Sequence, residues 1–159
     1  MLPPVPLVRI LVDGYSLLHA WPEIAPGRAP HSAAARAGLI AALTAHFDAT
    51  GTPITVIFDG QRAPAGTPGH ESTRAVEVLF SREGKTADDL IERAAHRLLK
   101  FGEVLVVTDD SAERGTVLSF GGLAMSCDNF IAEHRRVAED AGRDLAHHNR
   151  RERERFRRR

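Results

Sequence analysis

The chain has 159 residues, 43% apolar and 26% charged, which is enough for one domain with a real core and argues against wholesale disorder. Its single cysteine, Cys127, excludes an internal disulfide, and without a CxxC pair or a His/Cys cluster the soft-metal and disulfide-scaffold classes fall away. Basic and acidic residues balance at 21 each, yet residues 150–159 hold seven arginines against two glutamates, so a basic tail follows a mildly acidic body.

The N-terminal Met-Leu-Pro-Pro-Val-Pro has no basic segment followed by an apolar stretch, and no apolar run approaches the ~20 residues that cross a bilayer. A soluble, cytoplasmic protein with no membrane role is expected. Val8–Val12 predicts a buried strand that stops at Asp13-Gly14. Alanine-rich residues 32–49, with Leu39, Leu43 and Phe47 at helical spacing, predict a helix. Ile54–Phe58 is a second strand and stops at Asp59-Gly60; a Gly/Pro-rich loop runs to about Ser72. Val76–Phe80 predicts a third strand nearer an edge. Thr86-Ala-Asp-Asp is a capping box opening a helix with Leu90, Ile91, Ala94, Ala95, Leu98 and Leu99 on its apolar face. Val104–Val107 is a fourth strand ending at Thr108-Asp109-Asp110. A short helix over 111–120 stops at Gly121-Gly122, Leu123–Met125 is a fifth strand, and a long polar helix runs from Asn129 to near the end. Alternating strands and helices give an α/β domain with a mostly parallel sheet of about five strands and helices on both faces.

Three strands end in aspartate: Asp13, Asp59 and Asp109. In an open parallel sheet those ends share one edge, and Asp88, at the start of the helix after the third strand, returns to it. Glu92 lies one turn on, on the same helix face. Clustered carboxylates repel unless a cation neutralises them, and oxygen-only ligands suit Mg²⁺ or Mn²⁺, one ion or two. Such an ion activates water and stabilises charge on a phosphodiester under attack. The bland alternatives are turn chemistry for Asp-Gly, a helix cap for Asp110 or Ser111, and a solvated pairing with Arg93 or His96 for Glu92. Convergence of separate segments on one edge favours Asp13, Asp88 and Asp109 as the catalytic and metal-holding set, with Asp59 and Glu92 as weaker ligands.

LVDGYSLLHAWPEI at 11–24, VIFDGQR at 56–62, VEVLFSREGKTADDLIE at 76–92 and VVTDDSAE at 106–113 together resemble the NYN domain, more narrowly its YacP-like branch of PIN-like ribonucleases, over roughly residues 8–140. The resemblance implies a single-domain, PIN-like three-layer α/β/α sandwich over 1–149, with 150–159 as an Arg-rich tail extending the last helix. It implies endoribonuclease chemistry with Mg²⁺ or Mn²⁺ on Asp13, Asp88 and Asp109, with Asp59 at a weaker position. The family usually has asparagine where this chain has Ser16, which bears on substrate positioning rather than on the metal site.

Single-stranded RNA is the expected partner, mRNA on the ribosome being one candidate, and a monomer is favoured over a dimer. Arg62, Arg74, Arg82 and Lys85, in loops assigned to the flanks of the acidic edge, and Ser16 are the substrate-binding candidates. Trp21 could stack a base, although packing on Pro22 and the sheet edge suits it better. Arg150, Arg151, Arg157, Arg158 and Arg159 are candidate phosphate contacts of the tail. The alternative function is a non-catalytic RNA- or ribosome-binding adaptor. A haloacid-dehalogenase-type phosphatase is disfavoured because it wants two aspartates flanking one residue, where this chain has Asp13-Gly14-Tyr15. A dinucleotide-binding fold is disfavoured by the lack of GxGxxG after the first strand.

Overall fold

The computed structural model describes residues 6–60 and 71–158. Strands β1 (Leu7–Asp13), β2 (Ile54–Phe58), β3 (Val76–Phe80), β4 (Glu103–Val107) and β5 (Leu123–Met125) form one sheet in the order β3-β2-β1-β4-β5, every pairing parallel. All five strands therefore finish on the same edge. Helices α1 (Gly14–Ala20), α2 (Ala33–Thr50) and α5 (Cys127–Arg157) pack on one face, with Tyr15, Leu39, Leu43 and Phe130 against Ile10, Val12, Val56 and Phe58. On the other face α3 (Ala87–Leu98) and α4 (Ser111–Ser119) bury Ile91, Ala95 and Val117 on Leu11, Ile57, Val104 and Val106. The result is the expected three-layer α/β/α sandwich.

Local chemistry sets the element ends. The Ser32 hydroxyl accepts the Ala35 N–H at the start of α2, and Gly51, at φ 74°, closes it in the left-handed region where a side chain would be strained. The Thr86/Asp89 capping box forms in both directions. Asp110 caps α4, its Oδ1 accepting from Ala112 and Glu113 N–H. Helix α5 begins at Cys127 rather than Asn129, because Ser126 supplies the cap.

Two features were not expected. A short helix, α1, follows β1 without a loop, capped by Asp13 itself. Neither Asp-Gly pair uses its glycine for a left-handed backbone: Gly14 starts α1 and Gly60 lies in a turn, and neither has a positive φ. Each is glycine because of close approach, since a Cβ on Gly14 would lie 2.3 Å from the Phe58 ring and one on Gly60 only 2.0 Å from the Ser81 carbonyl oxygen.

Two polar contacts brace the α1/α2/α5 layer. Arg36, 1% exposed, donates to both Glu71 oxygens and to the His31 carbonyl, and lies over the Phe80 ring. His46 on α2 and His134 on α5 face each other, Nδ1 to Nδ1 at 3.1 Å. Beyond Val137, α5 leaves the body almost fully exposed, carrying surface Arg–acid pairs such as Arg136–Asp140 and Arg155–Glu152. Among the described residues, no helix is long and apolar enough to cross a membrane.

Candidate active site

Where the strands end, a cleft of about 430 Å³ opens, lined by Asp13, Asp59, Asp88, Asp109 and Asp110 together with Tyr15, Ser16 and His19. Four of the aspartates singled out from sequence thus meet in one place. Three leave the ends of β1, β2 and β4, and Asp88 comes from the first turn of α3.

The carboxylates are held by a lattice of short-range donors. Asp13 accepts from the Ser16 N–H through Oδ1 and from the Thr108 hydroxyl through Oδ2 at 3.2 Å. Thr108 is fully buried and its hydroxyl also accepts the Asp110 N–H. Asp109 is fixed from two sides: its N–H donates to Ser16 Oγ at 2.9 Å, and its Oδ1 accepts the Cys127 N–H at 2.8 Å. The Cys127 thiol, pushed up to about 12 chiefly by burial, stays protonated and points its S–H at Ser16 Oγ, 3.6 Å away. Asp59 accepts from the Ser81 hydroxyl.

Charge is the dominant feature. Asp88 is raised from 3.8 to about 6, first by removal from water and then by Asp13, Asp110, Glu92 and Asp89. Glu92 does not line the cleft; it lies behind Asp88, where Glu113 is hydrogen-bonded to it. Glu113, 4% exposed, is raised to about 9 by burial, then by its hydrogen bond to Glu92 and by Asp88, so the Glu92–Glu113 pair favours holding a shared proton. The Glu113 Oε1 has no hydrogen-bond partner among the described residues. Sequence reasoning passed over Glu113; the available signal was its place three residues after the Asp110 cap, which turns it back toward α3.

These groups suit a hard cation by donor type, since the five aspartates of the cleft offer only oxygen and the carboxylate repulsion that adds to burial in raising Asp88 is what a divalent ion relieves. Among the described residues, however, no three His, Cys, Asp or Glu side chains stand together at ligand spacing. Asp109 and Asp110 instead spend an oxygen each on backbone amides.

The basic candidates divide. Arg82 and Lys85 are exposed on the acidic edge, after β3 and before α3. Arg74 corrects the expected placement: it sits in the Thr73–Val76 turn leading into β3, so it stands at the opposite edge of the sheet. Arg62 and Arg159 lie outside the described residues. Arg150, Arg151, Arg157 and Arg158 are exposed at the far end of α5, roughly 35 Å or more along the helix from Cys127 at 1.5 Å per residue. Trp21 is 7% exposed and packs edge-on against His134.

A family model described as the YacP-like NYN domain matches residues 10–159. The protein YacP of Bacillus subtilis (strain 168) is 31% identical over 125 residues, 78% of this chain and 73% of that one. The crystal structure of Rae1 (YacP) from Bacillus subtilis is similar with a TM-score of 0.76 at 28% identity, covering 90% of this chain and 82% of that chain. A point mutant of the same protein gives 0.75 and 27%, covering 90% and 84%.

Proposed function

The chain belongs to the YacP-like NYN domain family, and on that premise we propose that it is a divalent-metal-dependent endoribonuclease acting on single-stranded RNA. The observation that carries this reading is the convergence of Asp13, Asp88 and Asp109 on one cleft, where removal from water and then the neighbouring carboxylates raise Asp88 to about 6. Asp13, Asp88 and Asp109 would hold one or two Mg²⁺ or Mn²⁺ ions, with Asp59 at the margin and Glu92 farther back. Such an ion supplies charge neutralisation and acidifies water for attack on phosphorus.

The remaining work falls to the chain itself. Thr108 and the Ser16 N–H keep Asp13 oriented, while the Cys127 N–H and Ser16 Oγ hold the Asp109 segment in place. A proton shared by Glu113 and Glu92 keeps the floor beneath Asp88 from carrying two further negative charges. Arg82 and Lys85 offset repulsion between the acidic edge and the phosphates on either side of the bond being cut. The arginines of α5 are too far away for that role, so they engage a distant stretch of the same RNA or of a ribonucleoprotein, by contacts that weaken steeply with salt.

Two observations favour a second reading, an RNA-binding adaptor without cleavage: Ser16 Oγ is already engaged by the Asp109 N–H, and no three acids stand at ligand spacing among the described residues. A mixed pool of single-stranded RNA incubated with Mg²⁺, with Mn²⁺ and with chelator separates the two. Cleavage that requires metal and is lost in Asp88→Asn supports the nuclease. Equal, salt-sensitive binding by both proteins with no cleavage supports the adaptor. A fully active Asp88→Asn enzyme would end the proposal.

A further inference from the structure

Next to the acid cleft lies a second, smaller cavity of about 160 Å³, and the two share one side chain, His19. The walls of the small cavity include Leu18, Trp21, Pro22 and Pro30, with the exposed Arg28 beside them. A row of rings leads to it from the sheet. Phe58 meets Tyr15 at 4.9 Å between centroids, Tyr15 meets His31 at 4.4 Å, and His31 meets His19 edge-on at 5.4 Å. His19 is the exposed end of that row. Trp21 is fixed from behind by the edge of the His134 ring, 5.3 Å away.

The geometry points to a nucleobase subsite, resting on the endoribonuclease reading: the base next to the scissile phosphate leaves the strand, passes the His19 ring and enters the small cavity. Three observations select a base as the occupant. The cavity has room for a single planar ring system beside an aromatic side chain, and base–ring stacking is how unpaired nucleotides are gripped. Its shared wall with the acid cleft puts any occupant within one nucleotide of the carboxylates. Arg28 lines the small cavity but not the acid cleft, and adds positive charge there for the next phosphate of a strand. An apolar side chain of a protein partner would fill the cavity equally well, but would leave Arg28 and the continuity with the acid cleft without a role.

Trp21 is the chain's only tryptophan, so its emission reports on this cavity alone. The Asp88→Asn protein, in chelator, is titrated with a short single-stranded oligoribonucleotide and with the same oligonucleotide carrying one abasic position, moved stepwise along it. Saturable quenching of Trp21 is expected, and it should vanish when one particular position is abasic. His19→Ala, an exposed substitution, should weaken binding of the intact oligonucleotide about 5- to 30-fold and leave the abasic one unchanged. Arg28→Ala should weaken both and lower the salt slope by about one phosphate. Binding seen by anisotropy with no Trp21 response, and with His19→Ala unaffected, overturns the subsite. If the wild type then still cleaves RNA with Mg²⁺, the nuclease reading survives that loss. A Trp21 response without cleavage in either metal keeps the subsite and removes the nuclease. Quenching by an apolar peptide and not by RNA overturns the subsite in favour of a protein partner.

Discussion

Replacing Asp88 by asparagine should give a protein that is more stable and inactive. A carboxyl raised from 3.8 to about 6 disfavours the folded state when ionised, by an amount on the order of 3 kcal/mol before screening. Asp88 is partly open to the cleft, so solvent screening reduces this to about 1–2 kcal/mol. Because the folded pKa lies above the unfolded one, protonation stabilises the fold: the contribution is fully present below 3.8 and is lost as pH rises through 6. Urea denaturation in chelator at pH 7.5 should therefore show Asp88→Asn ahead of wild type by about 0.5–1 M, for an m-value of about 2 kcal/mol/M. The gap should close near pH 4. Mg²⁺ should raise the wild-type midpoint and the variant's much less, while cleavage falls by about a thousandfold or more. Equal midpoints at pH 7.5, or a gap that persists at pH 4, would refute the reasoning that burial and the neighbouring carboxylates together disfavour an ionised Asp88.

Glu113→Gln should likewise stabilise the protein at neutral and alkaline pH, and flatten the loss of stability that wild type shows as pH rises from 4.5 toward about 9; a pH series of thermal melts reads this. The histidine pair acts in the opposite sense. Burial, then His134, lowers His46, and burial, then Arg135, lowers His134, so both favour the neutral ring and stability is lost as pH falls below 6.5. His134→Gln should reduce that acid sensitivity in the same melts. Arg36→Ala leaves Glu71 without its guanidinium and should cost about 3 kcal/mol, lowering Tm by about 6–12 °C in calorimetry.

Much of this was legible because the chain signals its strands by continuous apolar runs, each closed by a polar residue. Apolar runs ending in aspartate placed Asp13, Asp59 and Asp109 on one edge, and the Thr86–Asp89 box fixed where α3 begins and hence where Asp88 sits. What escaped depended on contacts between distant segments. Helix α1 is too short for its periodicity to register, and its cap is the same aspartate that reads as the end of a strand. Glu113 is buried where α4 packs beside α3, a contact that nothing in its own short helix signals. Arg74 was misplaced because the chain turns back along β3 before entering it, with Ser72 bonded to the Val78 backbone. The pairing of Ser16 with the Asp109 amide spans 93 residues, and nothing local announces it.

Those long spans bear on when the acid cluster exists at all. Asp13 emerges early in synthesis, but the hydroxyl that orients it belongs to Thr108, 95 residues later, and the amide that pins Asp109 belongs to Cys127, at the start of the last helix. A nascent chain ending before α5 has its aspartates, Ser16 and Thr108 but lacks the amide that pins the Asp109 carboxylate. The cluster is finished only when nearly the whole polypeptide has left the ribosome and docked its final layer.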